Sequence, residues 1–183
     1  MKYKLIKQEP FCCVPRCLQM IFERNNISFD SQMQMAKELG FKNDGKCKGT
    51  QIQNGEYSID NYLTKHRVPL SFEYIYDLNY NDVKKLLNEH KNDDTIVCYK
   101  RGIMFGKKLE GGHATIIEKI KDDVVTLIYP EDEARYRDVN LKTLLNAIEC
   151  HGKENMAGFW LFRKIDINIK EGDKDVKWRK KFS

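Results

Sequence analysis

The chain has 183 residues, enough for one domain whose core needs no staple. Its net charge of +5, spread over both signs, does not demand an acidic partner, and no stretch reads as a signal peptide or membrane span. Six cysteines at 12, 13, 17, 47, 98 and 150 form neither a disulfide framework nor a zinc clip, so a reducing compartment, the cytoplasm, is expected, with no metal and no cofactor.

Residues 3–7 read as an extended arm leading to Gln8. A helix should start at Cys13, with Pro15 in its first turn, where a missing N–H costs nothing, and end near Asn25-Asn26. Asp30 is the expected cap of a second helix that turns Met33, Met35, Ala36 and Leu39 inward and stops at Gly40. Residues 41–55 are polar and glycine-punctuated, hence a loop. Ser58 caps a third helix to His66, Leu70–Tyr74 alternates as a strand, and Asn81 is the expected cap of a fourth helix. The β-branched run 95–100 is a central strand, followed by a charged, glycine-bearing loop. Residues 113–120 and 124–129 form two strands joined at Lys121–Asp123, 141–148 a short amphipathic helix, and 158–163 a last strand. Helices first and antiparallel strands after indicate an α+β domain of two lobes over 1–165, with a polar, basic tail over 166–183.

Reactive residue types meet at the mouth of the first helix. Cys13 sits where free N–H groups and the dipole favour an anion, which should lower the pKa of its thiol and make it the nucleophile. Gln8, five residues upstream, can offer an amide N–H₂ to an oxyanion, with the Cys13 N–H as the second donor. The alternative is that Cys12, Cys13 and Cys17 are all small buried apolar residues, as free cysteines usually are. Among the four histidines, only His113 follows a glycine pair and opens an apolar strand; His66, His90 and His151 read as surface residues. An imidazole is the group that exchanges a proton with a thiol near neutral pH, so His113 is the candidate base.

The segment Gln8…Cys12-Cys13-Val14-Pro15-Arg16-Cys17-Leu18-Gln19-Met20, with Gly112-His113-Ala114 and Gly49-Thr50, resembles the bacteriocin-processing, double-glycine-leader peptidases, a family of papain-like cysteine proteases. The resemblance covers residues 5–165 and implies a papain-like two-lobed fold, with Cys13 as nucleophile, His113 as base and Gln8 as oxyanion donor. The family's Asp-Pro after the second strand is Tyr129-Pro130 here, so the carboxylate that would orient His113 becomes Asp132 or Glu131. The strand-like step from Pro130 slightly favours Asp132; a Tyr129 hydroxyl on the imidazole, or a dyad with no third group, stay open. Arg16 stands where the family has a small residue and reads as an aid to the thiolate, a carboxylate binder or a solvated charge.

The expected activity is cleavage of a peptide or amide bond, or a related acyl transfer, in a peptide or protein substrate. The alternative is a catalytically inactive domain that binds a protein or peptide. A nucleic acid, suggested only by the Lys177–Lys181 cluster in the tail, and a membrane are not expected partners.

Overall fold

The computed structural model of the chain describes residues 2–44, 48–52, 56–105, 111–129 and 135–165. Its elements are α1 (Cys13–Arg24), α2 (Gln32–Glu38), β1 (Phe41–Asn43), β2 (Lys48–Thr50), α3 (Ile59–Lys65), β3 (Leu70–Ile75), α4 (Tyr80–Glu89) and β4 (Asp94–Lys100). There follow α5 (Arg101–Phe105), β5 (Gly112–Lys121), β6 (Val124–Tyr129), β7 (Arg135–Asn140), α6 (Leu141–Glu149), a 3-10 turn (Lys153–Asn155) and β8 (Gly158–Lys164). The class is α+β. No helix among the described residues is long and apolar enough to cross a membrane.

One antiparallel sheet in the order β3-β8-β4-β5-β6-β7 carries the fold, and β1 and β2 form a separate ribbon. The β-branched stretch of β4 is buried on both sides, because successive side chains serve two different cores. Ile96, Cys98, Ala114, Ile116, Ile128 and Trp160 pack under α1, α2 and α3. Val97, Tyr99, Ile117, Leu127 and Phe159 pack under α4 and α6. Helix α1 is held in the first core by Leu18, Ile21 and Phe22, each at most 1% exposed. Burial of each such side chain stabilises by about 1.5–3 kcal/mol, which a Phe22→Ala change would forfeit along with a cavity cost.

The N-terminal arm follows α1 back towards β4 without forming a strand. Tyr3 donates its hydroxyl to Asp94 Oδ1 at 2.6 Å, Asn25 donates to Oδ2 at 2.9 Å, and Arg24 pairs with the same carboxylate. A buried acid at the start of β4 thus ties together the arm, the end of α1 and the sheet.

Several local expectations change. Ser31, not Asp30, caps α2, and Asn79, not Asn81, caps α4, because each side chain accepts the N–H two or three residues on. The supposed loop 41–55 holds β1 and β2, and the charged loop after β4 opens with α5. Strand β7, unexpected from its charged sequence, closes the far edge of the sheet, where polar side chains are at home. The tail 166–183 lies outside the described residues.

Candidate active site

Cys13 is the first residue of α1. The chain reaches it through a turn in which Cys12 N–H donates to the Glu9 carbonyl at 3.1 Å and Phe11 adopts φ 61°. The ribbon backs this turn: Gly49, at φ 126°, lies so close that a Cβ there would stand 3.5 Å from the Phe11 carbonyl oxygen. Gln8 and Cys13 therefore flank one short turn.

The Cys13 thiol is half-buried beside β5. Burial pushes its pKa up, while the backbone N–H groups of Ala114, Val14 and Cys13 and the Arg16 cation pull it back without cancelling the rise. The acidic thiol expected at the helix mouth is thus not found. What separates Cys13 from its neighbours is access, since Cys12 and Cys17 are fully buried and pushed up to about 11 and about 12.

His113 pairs in register with Tyr99, so its ring lies on the α4–α6 side of the sheet, while Ala114 faces α1. Its neighbours are Tyr99, at 6.0 Å between ring centroids, and Tyr129, at 5.6 Å. Burial, then the charges of Arg101 and Arg16, push its pKa down to about 3, which keeps the imidazole neutral. Its Nε2 is buried without a hydrogen-bond partner. Cys13 and His113 are linked through the backbone: the Ala114 N–H that favours the Cys13 thiolate belongs to the peptide directly after His113. No hydrogen bond among the described residues joins the thiol to the imidazole.

Tyr129 answers one open alternative. Its hydroxyl accepts from Arg101 Nε at 3.0 Å, and its ring lies under the Arg137 guanidinium at 4.3 Å and against Phe105 at 4.9 Å. The hydroxyl thus accepts from a cation, and it makes no hydrogen bond to His113 Nε2, which has no partner. Asp132 and Glu131 lie outside the described residues.

Arg16 is not a solvated charge. It is fully buried, donating from Nε to the Ile6 carbonyl at 2.9 Å and from Nη1 to the Ile128 carbonyl at 3.3 Å, while Nη2 has no partner. It joins the arm that carries Gln8 to the end of β6. The Oε1 of Gln8 is buried and has no partner either, but the peptides on both sides of Gln8 are held by Gln32.

Sequence reasoning missed Gln32 and misplaced His151. Gln32 falls on the inward face with Met35, Ala36 and Leu39, at the spacing i, i+3, i+4, i+7, whereas Met33 is only half-buried. His151, expected at the surface, is half-buried over Gly112: a Cβ on that glycine would stand 2.0 Å from the His151 Nε2. The glycine next to His113 leaves room for a second imidazole. His66 Nε2 and His90 Nδ1 lie within hydrogen-bond distance of the Glu38 and Asp93 carboxylates, each at 2.7 Å.

The only group of metal-ligand type among the described residues is Asp30, Glu38 and His66, with ligand atoms within 4.8 Å of one another. The Lys65 ammonium, 2.9 Å from Glu38, opposes a dication there. A cavity of about 270 Å³ lined by Ile75, Tyr76, Leu145 and Phe159 carries no nucleophile. The chain matches no protein-family model and no curated protein sequence.

Proposed function

We propose that the chain is a papain-like, thiol-dependent hydrolase or acyltransferase of the cytoplasm acting on a peptide or protein, with Cys13 as nucleophile and His113 as base. The observation that carries this reading is the half-buried thiol at the mouth of α1, set against the peptide that follows His113. In the first step the His113 ring must turn from the Tyr99 side of β5 to the mouth of α1, where the neutral imidazole takes the thiol proton and sulfur attacks the carbonyl carbon. The negative oxygen so formed draws on the Cys13 N–H and the Gln8 amide. The imidazolium protonates the leaving amine, the C–N bond breaks, and a thioester remains. Water, deprotonated by His113, then releases the acid and restores the thiol. Arg16 favours the thiolate and disfavours the imidazolium, so it helps Cys13 give up its proton and opposes His113 in holding it. Asp132 or Glu131 would orient the ring if a third group takes part.

The test is cleavage of a proteome-derived peptide library, with new termini identified by mass spectrometry. New termini should appear with the native chain and vanish with Cys13→Ala and with His113→Ala. Termini that persist in Cys13→Ala refute the assignment.

One observation favours a second reading. The place of the family's carboxylate is taken by Tyr129, whose hydroxyl is committed to Arg101. On that reading the domain binds a peptide without cleaving it. The same library would then yield no new termini, and peptides would be retained equally by the native chain and Cys13→Ala.

A further inference from the structure

We propose that Gln32 is a positioning residue that sets the Gln8 amide for the oxyanion. The inference rests on the hydrolase reading above and extends it to α2. Gln32 is 4% exposed at the start of that helix. Its Oε1 accepts the Glu9 N–H at 2.8 Å and its Nε2 donates to the Lys7 carbonyl at 2.7 Å. In an extended chain the carbonyl before a residue and the N–H after it point to the same side. One side-chain amide therefore satisfies both, much as a neighbouring strand would, and pins the two peptides that fix φ and ψ of Gln8.

The direction of the Gln8 side chain depends on that pin. Its own Oε1 is buried without a hydrogen bond, so that oxygen does not hold the amide in place. Arg16 supports the same segment one residue earlier through the Ile6 carbonyl at 2.9 Å. Two buried side chains from adjacent helices thus grip Ile6, Lys7 and Glu9. Without Gln32, the Glu9 N–H and Lys7 carbonyl would lose their partner, and the arm would move to find others.

A probe that forms an oxyanion is compared with one that does not. In acylation by p-nitrophenyl acetate, the Cys13 thiolate adds to the acyl carbon, a tetrahedral oxyanion forms, and p-nitrophenolate leaves with the electrons of the broken C–O bond. In alkylation by iodoacetamide, sulfur displaces iodide and no oxyanion forms. The Cys13-dependent rates are those lost in Cys13→Ser. Gln8→Ala should slow acylation by about 10²–10³-fold and leave alkylation unchanged. Gln32→Leu should slow acylation by at least about 10-fold, within the roughly 10²-fold loss known for a 1 Å misplacement, again sparing alkylation. Gln32→Glu keeps the acceptor for Glu9 and loses the donor to Lys7, so it should fall between native and Gln32→Leu; it also serves if Gln32→Leu does not fold. Gln8→Ala/Gln32→Leu and Gln8→Ala/Gln32→Glu should be no slower than Gln8→Ala.

Native acylation rates in Gln32→Leu, or in Gln32→Glu where only that variant folds, overturn the role of Gln32 while Gln8→Ala still shows the donor at work. Additive losses in the double variant overturn it as well, because Gln32 would then act other than through Gln8. Native acylation in Gln8→Ala overturns both the proposal and the underlying assignment of Gln8.

Discussion

Replacing His113 with glutamine should flatten the acid dependence of folding stability. The ring is 6% exposed, and burial with the Arg101 and Arg16 charges pushes its pKa down to about 3 from an ordinary 6.5. Between those values the unfolded chain binds a proton that the folded chain refuses, so stability rises with pH there. The contribution of the neutral ring is complete above pH 6.5 and is lost as pH falls towards 3. The slope approaches about 1.4 kcal/mol per pH unit, and the full loss is about 5 kcal/mol. Between pH 8 and pH 4 about 3 kcal/mol of that is already gone, a large part of the stability of an ordinary domain. Urea unfolding followed by circular dichroism at each pH from 8 to 4 reads this directly. His151, also pushed down by burial, titrates in the native and variant chains alike, so the difference between them isolates His113. Glu38, held down to about 2 although burial opposes it, because His66, Lys65 and Gln34 bond its carboxylate, loses its contribution lower, as pH falls from 4.5 through 2. Equal losses in the native chain and His113→Gln between pH 8 and 4 would refute the burial argument.

Limiting iodoacetamide should label Cys13 and the exposed Cys150 well before Cys12, Cys17 and Cys98, with the Cys13 rate still climbing above pH 8; peptide mapping of an early plateau at pH 6 would contradict this. Gly112→Ala should cost about 1–3 kcal/mol through overpacking against the His151 ring, and His151→Ala in the same chain should recover most of it, as thermal melts of the single and double variants will show.

Much of the sheet was legible because its strands announce themselves chemically. The run Thr95–Cys98, the segment Ala114–Ile117 and Phe159–Phe162 are too apolar and β-branched to be anything but buried strands. Strand β7 was not, since Arg135, Arg137 and Asp138 on a sheet edge look like a loop when read singly. The place of Cys13 at the start of α1 could be read from Pro15 and the apolar run after it, but the acidity of its thiol could not. Helix-mouth electrostatics is visible in sequence, whereas the burial that outweighs it depends on how closely β5 approaches. Gln32 followed the inward spacing of Met35 and Leu39 and was passed over because glutamine reads as solvent-facing. His151 and Gly112 lie 39 positions apart, and nothing local in either stretch indicates that one fills the space of the other.

The place of β8 sets the order in which the protein can be made. Residues 158–164 pair with β3 on one side and β4 on the other, so the two flanking strands have no contact along that seam until the segment between them arrives. A nascent chain that has emerged only as far as α6 carries two open strand edges and a half-covered Trp160 site, both templates for association with other chains. The sheet is therefore completed late, by a long-range insertion of the last strand. A protein truncated before Gly158 would accumulate as aggregate even though Cys13, His113 and Gln8 were all present.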